Sequence, residues 1–288
     1  MLICGGMYSP DLSCPVGTAC HAAFDWLGCP AIRRDLSGKL FSAGNSTIFD
    51  HVGNMDLLFR LNDFLEKIGI DYAVCGGYGI DLFIGQKTRP HKDLDVTAFW
   101  EDRDTIIRFM IREGWDVYEP CGTEYLHKIS NVQDQRRIKS NIWCVKQGNQ
   151  HYRFMENEDS MYAVDFDNLE QNELDYVEFL FNSRSDDNFL FARNKAIKIK
   201  LETSVLKANN IPFLAPELIL LYKSNAADKT EYQQDFISAS SMMNKGQLAW
   251  LKNALHIMYP KGHVWINELM INYCLAPRGP RHLLHPNT

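Results

Sequence analysis

The stretch CGGYGIDLFIGQKTRPHKDLDV, residues 75–96, decides how this chain is read. It sets two glycines, a short amphipathic run, an arginine and a histidine ahead of two aspartates that stand one residue apart. An ordinary core has no use for that order. On a strand, side chains alternate between the two faces, and residues two apart lie about 6–7 Å from each other on the same face. Asp93 and Asp95 therefore share a face, while Leu94 and Val96 turn to the core and fix the register. Two carboxylates on one face repel each other, and a bound divalent cation removes the conflict. A ligand set made only of oxygen suits Mg²⁺ or Mn²⁺ rather than zinc. Taken alone, the aspartate pair fits a solvated strand face equally well.

The residues upstream narrow the choice. Gly76 and Gly77 lie between a strand and a helix start, where backbone N–H groups can approach a ligand closely. A helix N-terminus also favours anions, so triphosphate oxygens fit there. The pattern is neither G-x-x-x-x-G-K-S/T nor G-x-G-x-x-G, which excludes the P-loop and Rossmann readings. Arg89 can fork onto a phosphate and His91 can hydrogen-bond one. Asp81, one turn into the short helix, can hold Arg89 or orient a nucleoside hydroxyl.

Outward from this stretch, periodicity begins at Asn54. Leu57, Leu58, Leu61, Phe64, Leu65 and Ile68 recur at helical spacing, with Asn54 as N-cap and Gly69 as stop. DYAVC reads as a buried strand, YGIDLFIG as a short helix, KDLDVTAF as a strand with one wet face, DRDTIIRFMIREG as a helix and WDVYE as a strand. SNIWCVK, HYRFME, MYAVDF, LDYVEFLF and AIKIKL read as further strands, and Asp165 and Asp167 in VDFDN as loop acids. After Pro216 the character turns helical, with PELILLYKSNA, KTEYQQDFISASSMM and QLAWLKNALHIMY. The spacing thus predicts an irregular extension over 1–50, an α/β part over 51–210, and a helical part with a loose tail over 211–288.

Composition limits the function classes. The chain has 288 residues, 45% hydrophobic and 23% charged, enough apolar material for a sizeable core. Its net charge of −6 gives no general attraction to phosphate backbones, which argues against a nucleic-acid binder and for a small cationic or neutral partner. Of the eight cysteines, Cys4, Cys14, Cys20 and Cys29 crowd the N-terminus without a C-x-x-C pair, so no zinc site is expected there. A reduced, cytoplasmic protein is the expectation. The N-terminus does not read as a secretory signal, and no window reaches the length of a membrane-spanning helix.

GGYGIDLFIGQKTRPHKDLDV resembles the signature of the DNA polymerase β-type nucleotidyltransferase superfamily, and in particular is similar to the aminoglycoside 2″- and lincosamide-type adenylyltransferases. The likeness continues weakly through EGWDV and NIWCV and returns in FLAPELILLYKS, covering roughly 54–270. It implies an α+β fold, with a small mixed β-sheet flanked by helices and a C-terminal helical domain after it. It also implies a third carboxylate from a later strand. In LDYVEFLF the candidates are Asp175 and Glu178, whose opposite parity lets only one face the site; the resemblance favours Glu178. Lys223 matches the lysine of the helix in PELILLYK and can meet a phosphate as a point charge. Lys229 and Asp235 fall where related chains carry a lysine–aspartate pattern, with looser spacing here. Glu173, Asp175, Trp143 and Tyr78 are candidates for an acceptor pocket.

The resemblance therefore implies an enzyme that transfers a nucleoside monophosphate, AMP from ATP or from another triphosphate, to a hydroxyl of a small antibiotic-like molecule. Asp93, Asp95 and Glu178 would hold Mg²⁺ or Mn²⁺ and do the chemistry; Gly76, Gly77, Arg89, His91 and Lys223 would hold the nucleotide. The alternatives are a toxin-type nucleotidyltransferase acting on tRNA or protein, and a catalytically silent nucleotide-binding protein.

Overall fold

The computed structural model describes residues 52–121, 125–137, 139, 141–149, 152–156, 161–166 and 170–275, all within one unit of the chain, Ser46–Thr288. The proposed N-terminal extension, its cysteines, Asp167 and the end of the tail lie outside these residues.

Helix α1 (Val52–Leu65) runs on through a short 3-10 turn to Gly69, whose φ of 73° ends it as expected. It starts two residues before Asn54, so Asn54 lies inside the helix rather than capping it. Strand β1 (Tyr72–Val74) leads directly into α2 (Gly76–Ile84). The two glycines are the first turn of that helix, not a break before it. Gly85, at φ 81°, closes α2 by donating to the Asp81 carbonyl. Strand β2 (Asp95–Phe99) starts at the second aspartate, and Asp93 immediately precedes it. Leu94 and Val96 are fully buried, which is the register the alternation required. Then come α3 (Arg103–Arg112), β3 (Trp115–Pro120), β4 (Leu126–Ile129), β5 (Asn141–Lys146), β6 (Tyr152–Glu156), β7 (Tyr162–Phe166) and β8 (Tyr176–Ser185). Asp165, expected in a loop, is on β7. The described chain finishes with β9 (Asn188–Leu190), β10 (Lys198–Lys200), α4 (Leu201–Ser204), β11 (Val205–Ala208), β12 (Ile211–Leu214), α5 (Pro216–Lys223), α6 (Thr230–Met242), α7 (Lys245–Met258) and α8 (Trp265–Leu275).

The strands form a mixed sheet in the order β11-β12-β1-β2-β8-β5-β3-β4-β7-β6, with β9 hydrogen-bonded to the far end of β8 and β10 to β9. Two parallel pairings make it mixed: β1 with β12, and β2 with β8. The strands at 126–129, 188–190, 205–208 and 211–214 are additions to the sequence reading. Pro212 disguises β12, because a proline inside a run argues against a strand. The hairpin signal was nonetheless present: Asn209 and Asn210 both have positive φ, 50° and 66°, the backbone a two-residue hairpin turn demands.

One core lies between α1, α3 and the sheet, around Leu57, Leu61, Ile106, Met110, Val117, Cys144 and Phe179. The second joins α2 and α5 to the last helices, where Phe236 and Trp265 stack at 4.4 Å. Cys75, Cys121, Cys144 and Cys274 are free thiols. No helix among the described residues is long and apolar enough to cross a membrane.

Candidate active site

The parallel pairing of β2 with β8 does most of the construction. It sets Asp95 directly beside Glu178 in register, although the two are far apart in sequence. Side chains at registered positions on neighbouring strands share a face, so the third carboxylate arrives from the strand expected to supply it. Asp93, Asp95 and Glu178 all line one cavity of about 280 Å³. Cys75 and Gly76 at the start of α2 line it as well, with Leu180 and Asn182 of β8, Ile219, Tyr222 and Lys223 of α5, Tyr232 of α6, and Arg193. Asp175 does not line this cavity: it precedes β8 and stands 3.5 Å from the Gln171 amide.

The glycines are explained by what their missing side chains would strike. Gly76 has φ 63°, and a Cβ on it would run into the Asp95 carboxylate. A Cβ on Gly77 would collide with the His91 ring at Nδ1 and stand 2.8 Å from Arg89 Nη2. A Cβ on Gly79 would come within 2.7 Å of Ile219. The Gly-Gly pair thus lets the first turn of α2 lie against Asp95, His91 and Arg89 at once.

The loop between α2 and Asp93 is held from three sides. Asp81 accepts from the Thr88 backbone N–H at 2.8 Å and from its hydroxyl at 2.6 Å, and pairs with His91 Nε2 at 2.6 Å. Asp81 therefore holds Thr88 and His91, not Arg89. The His91 ring is 1% exposed and packs 4.5 Å from Tyr78, and among the described residues its Nδ1 has no hydrogen-bond partner. Lys87 pairs with Glu170. Arg89 goes to Asp235 of α6, donating through Nε and Nη2 at 3.0 Å each. Lys223 meets the same carboxylate at 2.9 Å. Of the other residues singled out for an acceptor pocket, Tyr78 donates to the Gln171 carbonyl at 3.0 Å and Glu173 pairs with Arg60 at 2.9 Å. Trp143 stands opposite Glu178 on β5, and its indole pulls the Glu178 carboxyl down.

The electrostatics of the cavity are lopsided. Burial first, then the charges of Asp93 and Glu178, push the Asp95 carboxyl well above the ordinary aspartate range; Lys223 and Arg89 offset this only in part. Burial raises Glu178 to about 7, against the pull of Asn141, whose amide donates to it at 2.6 Å. Tyr232 is raised by burial and then by Asp95 and Asp93, so the negative field reaches across the cavity. Among the described residues no three His, Cys, Asp or Glu side chains stand close enough together to make a finished metal site. The donor set is nonetheless all carboxylate oxygen, on one wall, with excess negative charge. That chemistry fits a divalent hard cation, which would draw the three together.

Sequence reasoning missed Asn141, Arg193, Tyr232 and the chain Tyr222–Asn182–Thr97. Tyr222 donates its hydroxyl to Asn182, and the Asn182 amide donates to Thr97 Oγ1 at 2.6 Å. Only strand register brings Asn141 to Glu178 and Asn182 to the cavity wall, so no local signal marked them. Tyr222 directly precedes Lys223 and was within reach.

A glycine-started helix, two aspartates at a strand start and a third carboxylate registered beside them are the layout of a nucleotidyltransferase site. More narrowly, residues 57–178 match the family described as aminoglycoside-2''-adenylyltransferase, a match that takes in the glycine turn and both aspartates and ends on Glu178. No curated protein matches the chain. Solved structures with likeness include the antibiotic-resistance factor ANT(2'')-Ia in solution, at 15% identity over 73% of this chain and 95% of that one, TM-score 0.42. Another is the lincosamide antibiotic adenylyltransferase LnuA bound to lincomycin, at 16% identity over 65% and 96%, TM-score 0.42. A third is an antigenic nucleotidyltransferase-like protein from Paracoccidioides brasiliensis, at 15% identity over 80% and 95%, TM-score 0.40. Scores this low carry no part of the site's assignment.

Proposed function

We propose that this chain transfers AMP from ATP to a hydroxyl of a small antibiotic-like acceptor, with Mg²⁺ or Mn²⁺ held by Asp93, Asp95 and Glu178. The single observation that carries the reading is the registered pair Asp95–Glu178, which with Asp93 lines a cavity that also receives the glycine start of α2 and Lys223. The family match over 57–178 supports the substrate class.

In this reading the sheet part carries the carboxylates and the helices from Pro216 onward close the donor side of the cavity. Bound there, a divalent cation would neutralise the triphosphate and the developing charge on the α-phosphorus. The N-terminus of α2 and Lys223 bind phosphate oxygens; Arg89 and His91 set the edge of that cradle. Glu178 takes the proton of the acceptor hydroxyl at its carboxylate. Asn141 orients that carboxylate. Pyrophosphate leaves, and the phosphorus–oxygen bond to the acceptor replaces the one to pyrophosphate. The placement of catalysis in a cytoplasmic compartment belongs to the same proposal.

The test is a pyrophosphate-release screen with the four nucleoside triphosphates, Mg²⁺, and aminoglycosides, lincosamides and bulk tRNA as separate acceptors. Release that depends on one of the antibiotic classes is the expected result. Labelling of tRNA alone, or nucleotide binding without turnover on any acceptor, overturns it.

A further inference from the structure

We propose that Asp235 is the positioning residue of the donor-phosphate site, one buried carboxylate on α6 that holds two cations, Arg89 and Lys223, toward the nucleotide. The inference rests on the nucleotidyltransferase reading and goes beyond it. Asp235 is fully buried. Its Oδ1 accepts from Arg89 Nε at 3.0 Å, and its Oδ2 from Arg89 Nη2 at 3.0 Å and Lys223 Nζ at 2.9 Å.

A structural ion pair would match one cation to one anion. Here a single carboxylate carries two cations, leaving an excess positive charge that faces a specific place. Arg89 Nη2 stands beside Gly77 in the first turn of α2, and Lys223 lines the cavity that holds Asp93, Asp95 and Glu178. Lys223 and Arg89 are also the groups that lower Asp95. The positive field therefore points into the cavity opposite the carboxylates, where a polyanion bridging the two walls would meet it. Arg89 Nη1 is spent on the Pro90 carbonyl at 3.1 Å, so the side chain is anchored at every nitrogen and cannot swing away while Asp235 is in place.

Helix α6 makes further contacts in the same direction. Tyr232, one turn before Asp235, walls the cavity and lies 4.4 Å under the Lys223 ammonium. Gln234 donates to the Thr88 carbonyl at 3.1 Å, clamping the Arg89 loop. Without Asp235, Lys223 and Arg89 would sit side by side with no anion between them, and mutual repulsion would drive one outward. The proposed function leaves Asp235 without a role, and the looser lysine–aspartate spacing gave it none from sequence.

The experiment is calorimetric binding of a non-hydrolysable ATP analogue with Mg²⁺ to the full chain, beside its Asp235→Asn and Lys223→Met variants, with melting curves and acceptor binding on each. Asp235→Asn should weaken the analogue by about tenfold or more, since loss of a charge-assisted contact is worth at least one such decade. Acceptor binding should stay within about twofold. Lys223→Met leaves the Arg89–Asp235 pair intact and should weaken the analogue too, which keeps the test open if Asp235→Asn does not fold. Analogue binding at wild-type strength in a folded variant of either kind, or tighter binding in Asp235→Asn, overturns the positioning role. A wild-type chain that binds no nucleotide removes the parent reading and this inference with it; a wild-type chain that binds while both folded variants bind equally well removes this inference alone.

Discussion

Glu119 and Glu178 lie on neighbouring parts of one sheet, and both are walled in by protein, yet they are treated in opposite ways. Glu119 on β3 is fully buried and fully matched. It takes Arg103 Nη2 and the Arg137 backbone N–H at 3.0 Å each, and the Arg136 N–H as well. Arg103 in turn lies 5.1 Å from the rings of Trp100 and Phe181 and gives its Nε to Gln135 at 2.7 Å. Charge meets charge there, and the ensemble fastens the segment after β4 to the sheet. Glu178 accepts from the neutral groups of Asn141 and Tyr176, and among the described residues no cation pairs with it; its registered neighbour is another acid. A fold that only needed stability would not set Asp95 and Glu178 side by side. The difference teaches where to look for function: at the charge cluster the protein leaves unbalanced, not at the one it balances.

That contrast is broken most sharply at Asp95. Asp95→Asn should cut transfer by about a thousandfold or more, the scale on which removal of a transition-state charge stabiliser is felt. The melting temperature without divalent cation should equal or exceed that of wild type, because a buried repulsion is relieved. Near-full transfer, or a marked fall in melting temperature, would place Asp95 with Glu119 among the structural acids. The reverse behaviour is expected of Glu119→Gln. Leaving Arg103 buried without its counter-charge should cost about 3–5 kcal/mol in denaturant unfolding. The turnover of the protein that remains folded should not change. A stability loss under about 1 kcal/mol would show that the pair is not matched as described.

The same contrast explains which features could be read from the sequence. The parity of Asp93, Leu94, Asp95 and Val96 was legible because a strand has a fixed period, and Leu94 and Val96 are indeed buried. The helix after the glycines was legible because Gly85 marks its stop. What escaped are pairings that only the three-dimensional register creates: Asn141 with Glu178, Asn182 with Thr97, and above all Arg89 with Asp235, 146 residues apart. The sequence suggests Arg89 as a phosphate fork from its type and place; the partner that fills the fork in the structure, Asp235, comes from a helix whose packing no local pattern specifies. Strand β12 escaped for another reason. Its proline spoke against a strand, and the parallel pairing with β1 that stabilises it is long-range.

A third buried acid sharpens the comparison by separating burial from function. Glu217 opens α5 away from the cavity and is held through one amide, Gln247 Nε2 at 2.9 Å. Burial raises it to about 7, although the helix start and Gln247 pull it down. Its folded-state value lies above its unfolded one, so the stability it contributes is complete below the ordinary glutamate range and is lost as pH rises to about 7. Glu217→Gln mimics the protonated acid and should remove that loss. At pH 8 the variant should be more stable than wild type by on the order of 2 kcal/mol, with the two converging near pH 4. Transfer activity should be untouched, since no reacting group contacts this side chain. Parallel stability curves across that pH range would mean that Glu217 is ionised in the fold, and that burial raises a carboxylate here only where other acids stand beside it.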